Sequence, residues 1–274
     1  MKTAREGYII CMGISREFPA SCFQCCTLHF FTDRHKRRIM NKVKLGLLIL
    51  MIITATAFPD SKKELAVRIE QAEKNLKYFM DAPDAGVPCQ LLHDADAIIF
   101  LRQYKAGFVL GAKGGNGIVL AKDRENGKWS PPAFIATAEG SLGFQVGVKV
   151  VDAILLVMNK EGLDLLLKSR FKIGGEISAA AGPVGREAGA KIGIPAAGIL
   201  IYSNARGLFA GISFEGGVIA SDDKANQVFY AVEDIKIRDI LTRNRVSMPE
   251  EAKNLVDMLK EYESRYLESR DPVN

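Results

Sequence analysis

Apolar residues from Leu65 onward recur at spacings of four and three, Leu65, Ile69, Ala72, Leu76 and Phe79. That period predicts an amphipathic helix of about five turns with one buried stripe. Ser61-Lys62-Lys63-Glu64 just before it has capping-box spacing, and Pro83 and Pro88 close it. Lys62, Lys63, Lys74 and Lys77 flank the stripe. Pro88 to Asp96 suggests a short second helix with Leu91, Leu92 and Ala95 inward. The helical period returns at the far end, where Leu255, Leu259, Tyr262 and Tyr266 follow a second capping-box spacing at Ser247 and Glu250.

Between these helices the period drops to two. From Ser141 to Lys149 the chain alternates strictly, with Leu142, Phe144, Val146 and Val148 on one side and small or polar residues on the other, which predicts a strand. Shorter strand patterns precede it at residues 97–101, 107–110, 117–121 and 134–138, with turn chemistry at Asp123 to Gly127. The intervals are too short for crossover helices, so the neighbours are expected to pair antiparallel. Gly111 to Gly117 lacks phosphate-loop spacing and precedes a strand, and is expected to be a hairpin loop. Residues 151–158 read as a strand buried on both faces, 161–167 as a short helix, 171–179 as a strand, and 198–202 with 208–220 as a hairpin. The expected fold is therefore α+β, a curved antiparallel or barrel-like sheet flanked by N- and C-terminal amphipathic helices. Of the 25 glycines, 21 fall between Gly107 and Gly217, so close approach of layers belongs to the sheet.

Composition changes the picture mainly before residue 58. Residues 40–57 combine a short basic region, the apolar run from Leu45 to Ile53 and an Ala55-Thr56-Ala57 end, the pattern of a secretory signal peptide. Met40 reads as its initiator, with residues 1–39 an upstream extension outside the fold and 58–274 a single domain. The expected destination is export across a bacterial cytoplasmic membrane, to the periplasm or the outside. Nine of the 37 basic and three of the 32 acidic residues lie before residue 58, so the formal charge of +5 belongs to this leader. The remainder is nearly neutral, which argues against a nucleic-acid partner. Four of the five cysteines, Cys11, Cys22, Cys25 and Cys26, also precede it, and only Cys89 follows. Cys22 and Cys25 have C-x-x-C spacing but no second ligand pair, so no metal is expected.

No nucleophile elbow, zinc-protease motif or paired-carboxylate arrangement stands out, and an enzyme is not expected. His93, the only histidine after the leader, reads as a surface or cap residue. Asp94 and Asp96 at a helix end, and Asp222 and Asp223 in a turn, read as solvated loop positions. No cofactor is expected.

An ordered set of motifs carries a resemblance. It comprises Gly107-Phe108, Trp129-Ser130-Pro131-Pro132, Gly143-Phe144-Gln145-Val146-Gly147 and Ala181-Gly182-Pro183-Val184-Gly185-Arg186. Tyr202-Ser203 and Arg206-Gly207-Leu208-Phe209-Ala210-Gly211 follow, then Gly216, Asn226, Tyr230 and Asp239-Ile240-Leu241. Together they resemble the SYLF domain of Ysc84-type proteins over most of residues 61–245. The resemblance implies a non-enzymatic, membrane-associated domain that binds phosphoinositides or other anionic lipids, and in eukaryotic relatives actin. The leader addresses this chain to a compartment without actin, so an anionic lipid or membrane surface is the expected partner, with a structural or protein-interaction module the alternative. Lys62, Lys63, Lys74, Lys77, Arg186 and Arg206 are the lipid-contact candidates, because anionic head groups favour cations beside apolar residues. For Arg186 and Arg206 a loop-pinning role is the competing reading. The glycines of the motifs, with Trp129, Pro131, Gln145, Pro183 and Phe209, read as scaffold.

Overall fold

The hydroxyl of Ser61 accepts from the backbone amide of Glu64 while the Glu64 carboxylate accepts from the Ser61 amide at 2.8 Å, so the capping box forms as its spacing predicts. A computed structural model of the chain describes residues 61–82, 86–107, 110–142, 147–184, 197–204 and 217–270, all within the unit Pro59–Asn274. The cap opens α1 (Lys62–Met80), followed by α2 (Cys89–Asp94) and four long strands, β1 (Ala97–Gly107), β2 (Leu110–Ala121), β3 (Ala133–Leu142) and β4 (Gly147–Val157). Next come α3 (Lys160–Leu166) and four short strands, β5 (Arg170–Lys172), β6 (Ala179–Ala181), β7 (Ile199–Ser203) and β8 (Val218–Ser221). Three helices close the chain, α4 (Asp223–Tyr230), α5 (Ile237–Leu241) and α6 (Glu250–Arg270).

The strands form one sheet in the order β5-β8-β3-β2-β1-β4-β7-β6, strongly curled into a half-barrel. Every pairing is antiparallel except β6 with β7. Alternation sends successive side chains to opposite faces, and both faces are buried. Ile98, Phe100, Ile118, Phe134 and Ile154 join one core with α1, α2, α4 and α6. Ile99, Leu101, Val119, Ile135 and Leu155 join the other, with α3 and α5. On α1 the predicted stripe is the buried one, with Leu65, Ile69 and Leu76 fully enclosed. Each such side chain contributes about 1.5–3 kcal/mol relative to exposure.

Several local expectations give way to long-range pairing. Ser141 to Lys149 is not one strand: β3 ends at Leu142, β4 starts at Gly147, and the β1–β2 pair lies between them in the sheet. Its residues Gly143 to Val146 lie outside the described residues. Gly111 to Gly117 is not a loop but the first half of β2, paired with β1 and β3 on either side. Glycine is required there by close approach, since a Cβ on Gly117 would collide with the Phe100 carbonyl oxygen. Of the expected strand at 107–110, Gly107 ends β1 and Leu110 begins β2, and residues 108 and 109 lie outside the described residues.

The expected strand at 171–179 is divided between β5 and β6, at opposite ends of the sheet order. Of the expected hairpin of 198–202 with 208–220, residues 208–216 lie outside the described residues, and the described parts do not pair with each other. β7 pairs with β4 and β6, whereas β8 pairs with β3 and β5. The apolar run Ile199–Ile201 is taken up by the equally apolar end of β4. Asp222 and Asp223 are not a bare turn: Asp222 caps α4 by accepting from the Ala225 amide at 3.1 Å. The Glu250 carboxylate pairs with Lys253 one turn on, at the start of α6.

Candidate interaction surface

The four lysines of α1 have different fates. Lys62 lies 3.3 Å from the Glu251 carboxylate and 5.4 Å above the Phe229 ring, so it helps to seat α1 on α4 and α6. Arg68, 3.6 Å from Asp222, does the same on the other side of the stripe. Lys74 pairs with Glu70 at 3.7 Å, an exposed i,i+4 contact of little energetic weight. Lys63 and Lys77 are exposed and make no ion pair among the described residues. Spacings of four, seven and four put Lys63, Val67, Lys74 and Tyr78 on one face, opposite the buried stripe. Val67 and Tyr78 are each 60% exposed there.

The second half of the surface comes from the sheet. Under α1 the row Ile118–Phe100–Ile154 is buried. Two residues along each strand the row becomes polar, Asn116–Arg102–Asp152. Arg102 donates to the Gln71 side chain at 2.8 Å and lies 3.4 Å from the Asp152 carboxylate, and Gln71 donates to Asn75 at 3.0 Å. These bonds tie the middle of α1 to β1 and β4 where the core ends.

One row further, Tyr104 and Val150 face each other across β1 and β4, 46% and 42% exposed. Beside Tyr104 on β2 is Gly114, where an added Cβ would meet only the Thr137 carbonyl oxygen at 3.8 Å. Val67, Gln71, Arg102, Tyr104 and Asn116 line a groove of about 340 Å³ between helix and sheet. The result is a half-open apolar strip whose helical border carries Glu64 and Arg68, with Lys63 and Lys74 on the adjoining exposed face of α1. Sequence reasoning found the lysines but missed Val67, Tyr104 and Val150. The available signal was Val67 interrupting an otherwise polar helix face, and Tyr104 continuing the alternation of Phe100 and Arg102 past the polar row.

Arg186 and Arg206 lie outside the described residues, as do Gly143, Gln145, Gly185, Gly207, Phe209 and Gly211. The described motif residues serve packing. Gly107 sits opposite Gly111 and Gly147. Trp129 is buried and donates to the Glu263 carboxylate at 3.3 Å, while the Ser130 hydroxyl donates to the Pro131 carbonyl at 2.9 Å. Gly182 leaves room for the Tyr202 ring, whose hydroxyl donates to the Pro183 carbonyl at 2.9 Å. Burial pushes the Tyr202 and Tyr230 phenols above their ordinary range. Burial and the Asp81 carboxylate, which accepts from Tyr262 at 2.9 Å, push that phenol up to about 12. Asn226, fully enclosed, donates to the Phe134 carbonyl and accepts from the Phe134 amide, fixing α4 to β3.

His93 gives its carbonyl to Lys122 and its ring to Tyr266, with centroids 5.3 Å apart. Among the described residues no group of three His, Cys, Asp or Glu side chains could hold a metal ion. No helix among them is long and apolar enough to cross a membrane.

Fold and surface thus define an α+β half-barrel domain that presents a mixed charged and apolar face. A family model described as "Ysc84: Las17-binding protein actin regulator" matches residues 138–262. SH3 domain-containing YSC84-like protein 1 of Xenopus laevis is 33% identical over 211 residues, 74% of this chain and 62% of that protein. The Homo sapiens protein of that name is 31% identical over 212 residues, 75% and 61%. Protein YSC84 of Saccharomyces cerevisiae is 30% identical over 207 residues, 72% and 44%. The chain belongs to the Ysc84, or SYLF, domain family. It spans about three fifths of the length of the animal relatives it matches.

Proposed function

We propose that this domain is a non-enzymatic interaction module that docks on an anionic lipid surface through the face shared by α1 and the β1–β2 hairpin. The observation that carries the reading is the joint exposure of Val67 and Tyr104 in one groove, with Lys63 one helical turn before Val67. Apolar side chains can enter the acyl boundary while lysines stay at head-group level. Each lysine near an anionic surface contributes about 1 kcal/mol, so the attraction must weaken with salt. α1 is suited to this role because its own stripe is already buried against α6 and the sheet, leaving the opposite face to contact a surface.

Sedimentation with phosphatidylserine-containing and pure phosphatidylcholine vesicles tests the proposal. Pelleting with the anionic vesicles alone, reversed by salt, is the expected result; equal failure with both removes the lipid reading. A protein partner is the second reading. It is favoured by the family description as a Las17-binding actin regulator and by a relative named LAS seventeen-binding protein 3. The leader at residues 40–57 supports export across a bacterial cytoplasmic membrane as part of the proposal. Mass spectrometry of the mature chain is then expected to find an N-terminus near Phe58, and a mature chain that keeps residues 40–57 refutes the export.

A further inference from the structure

At the end of the sheet opposite the β1–β2 tip, where β1 begins and β2 and β4 finish, a half-open cleft of about 1020 Å³ separates the strand ends from the segment after α5. Its volume is at the upper end of the range of small-molecule sites. Trp129, Met158, Leu163, Val246 and Met248 provide the apolar lining. Trp129 and Met158 are each only 4% exposed, and the two thioethers can adapt to a flexible ligand.

The polar groups around this lining are mostly spoken for. Lys122 lies 2.7 Å from Glu263 and donates to the His93 carbonyl. Arg124 pairs with one oxygen of the buried Asp96 carboxylate, whose other oxygen, Oδ2, has no hydrogen-bond partner among the described residues. Asp123 binds its own turn, accepting from the Glu125 amide at 2.9 Å and from the Asn126 side chain. The Asn159 oxygen caps α3 through the Gly162 amide. Lys128 and Lys160 are left over: both are exposed at the rim, and neither has a carboxylate within ion-pair distance among the described residues. The Asp96 and Asp123 charges are thus offset by Arg124 and a hydrogen-bonded turn, while two ammonium groups have no ion-pair partner among the described residues and stand beside an apolar floor.

We propose that this cleft binds a single-chain anionic amphiphile, with its head on Lys128 and Lys160 and its apolar chain along Trp129, Met158 and Met248. An acidic peptide would need rim side-chain amides for its backbone, and both ends of the Asn126 amide and the oxygen of Asn159 are already used. A bare small anion would leave the apolar floor uncovered. The site is separate from the α1 surface and stands whether or not that surface meets lipid.

Trp129 is the chain's single tryptophan, so its emission reports on this cleft alone. The test titrates the full chain with dodecanoate below its micelle concentration, following Trp129 fluorescence and calorimetric heat, with circular dichroism to show that the fold persists. Dodecanol, acetate and an acidic hexapeptide are the comparison ligands. Expected is saturable one-to-one binding of dodecanoate, with dodecanol and acetate at least about tenfold weaker. Lys128→Glu/Lys160→Glu is expected to weaken binding by a similar factor with an unchanged melting curve, and Met248→Glu, which alters a side chain packed against the core, to weaken it likewise while circular dichroism shows a folded chain. No saturable response to dodecanoate, undiminished binding by both variants, or saturable binding of the peptide alone overturns the proposal.

Discussion

Glu263 accepts a hydrogen bond from Trp129 and is ion-paired with Lys122 at 2.7 Å, two groups far away in sequence, and so ties α6 to the end of β2. The Lys122 and Glu263 side chains are 9% and 10% exposed, so breaking the pair leaves a charge with little water to solvate it. Glu263→Gln is expected to cost about 3 kcal/mol in urea unfolding, and Lys122→Met/Glu263→Met together distinctly less. Asn226→Ala strands both backbone groups of Phe134 that its side chain now serves, and is expected to cost about 2 kcal/mol by the same measurement. Neither anchor was legible as such in the sequence. Trp129 and Asn226 stood out as motif members, but their partners lie 134 and 92 residues away, and no local pattern names them.

Elements were legible in proportion to how local their causes are. α1 announced its cap, its stripe and its exposed lysines, because a 3.6-residue period and a capping box are written within one segment. β2 was half missed, because its glycines carry no side chain to show alternation and are held by the ladders of β1 and β3 instead. Nearness in sequence suggests that β7 and β8 pair with each other, whereas they pair with β4 and β3.

α5 offers a prediction at this scale. The Lys236 amide donates to the Asp239 carboxylate at 3.1 Å, and this bond, with Arg243 and Arg245 beside it, holds the carboxyl below the ordinary aspartate range. A depressed folded-state pKa gives stability that is present above the unfolded value and lost as pH falls through the folded one. Urea midpoints measured from neutral to acid pH are expected to decline less steeply in Asp239→Asn than in the wild type. An identical decline would mean that Asp239 titrates alike in both states.

At the scale of the molecule, a half-barrel sheet buried on both faces leaves little of its apolar surface for contact with anything else. The exposed row of Tyr104 and Val150, together with Val67 on α1, is where that enclosure stops. The expected α+β class with terminal helices agrees with the structure, and both long helices pack on the same face and against each other. What the sequence pattern could not supply was the edge of the core, since it depends on how far α1 reaches along β1 and β4.

The account's central claim is that this edge is a docking surface for anionic membranes. Vesicle partitioning of the wild type and of Val67→Glu/Tyr104→Glu, on phosphatidylserine-containing vesicles at fixed salt, tests it most directly. The account predicts a partition coefficient lower by about tenfold for the variant, with an unchanged melting temperature. Equal partitioning of the two proteins would contradict it.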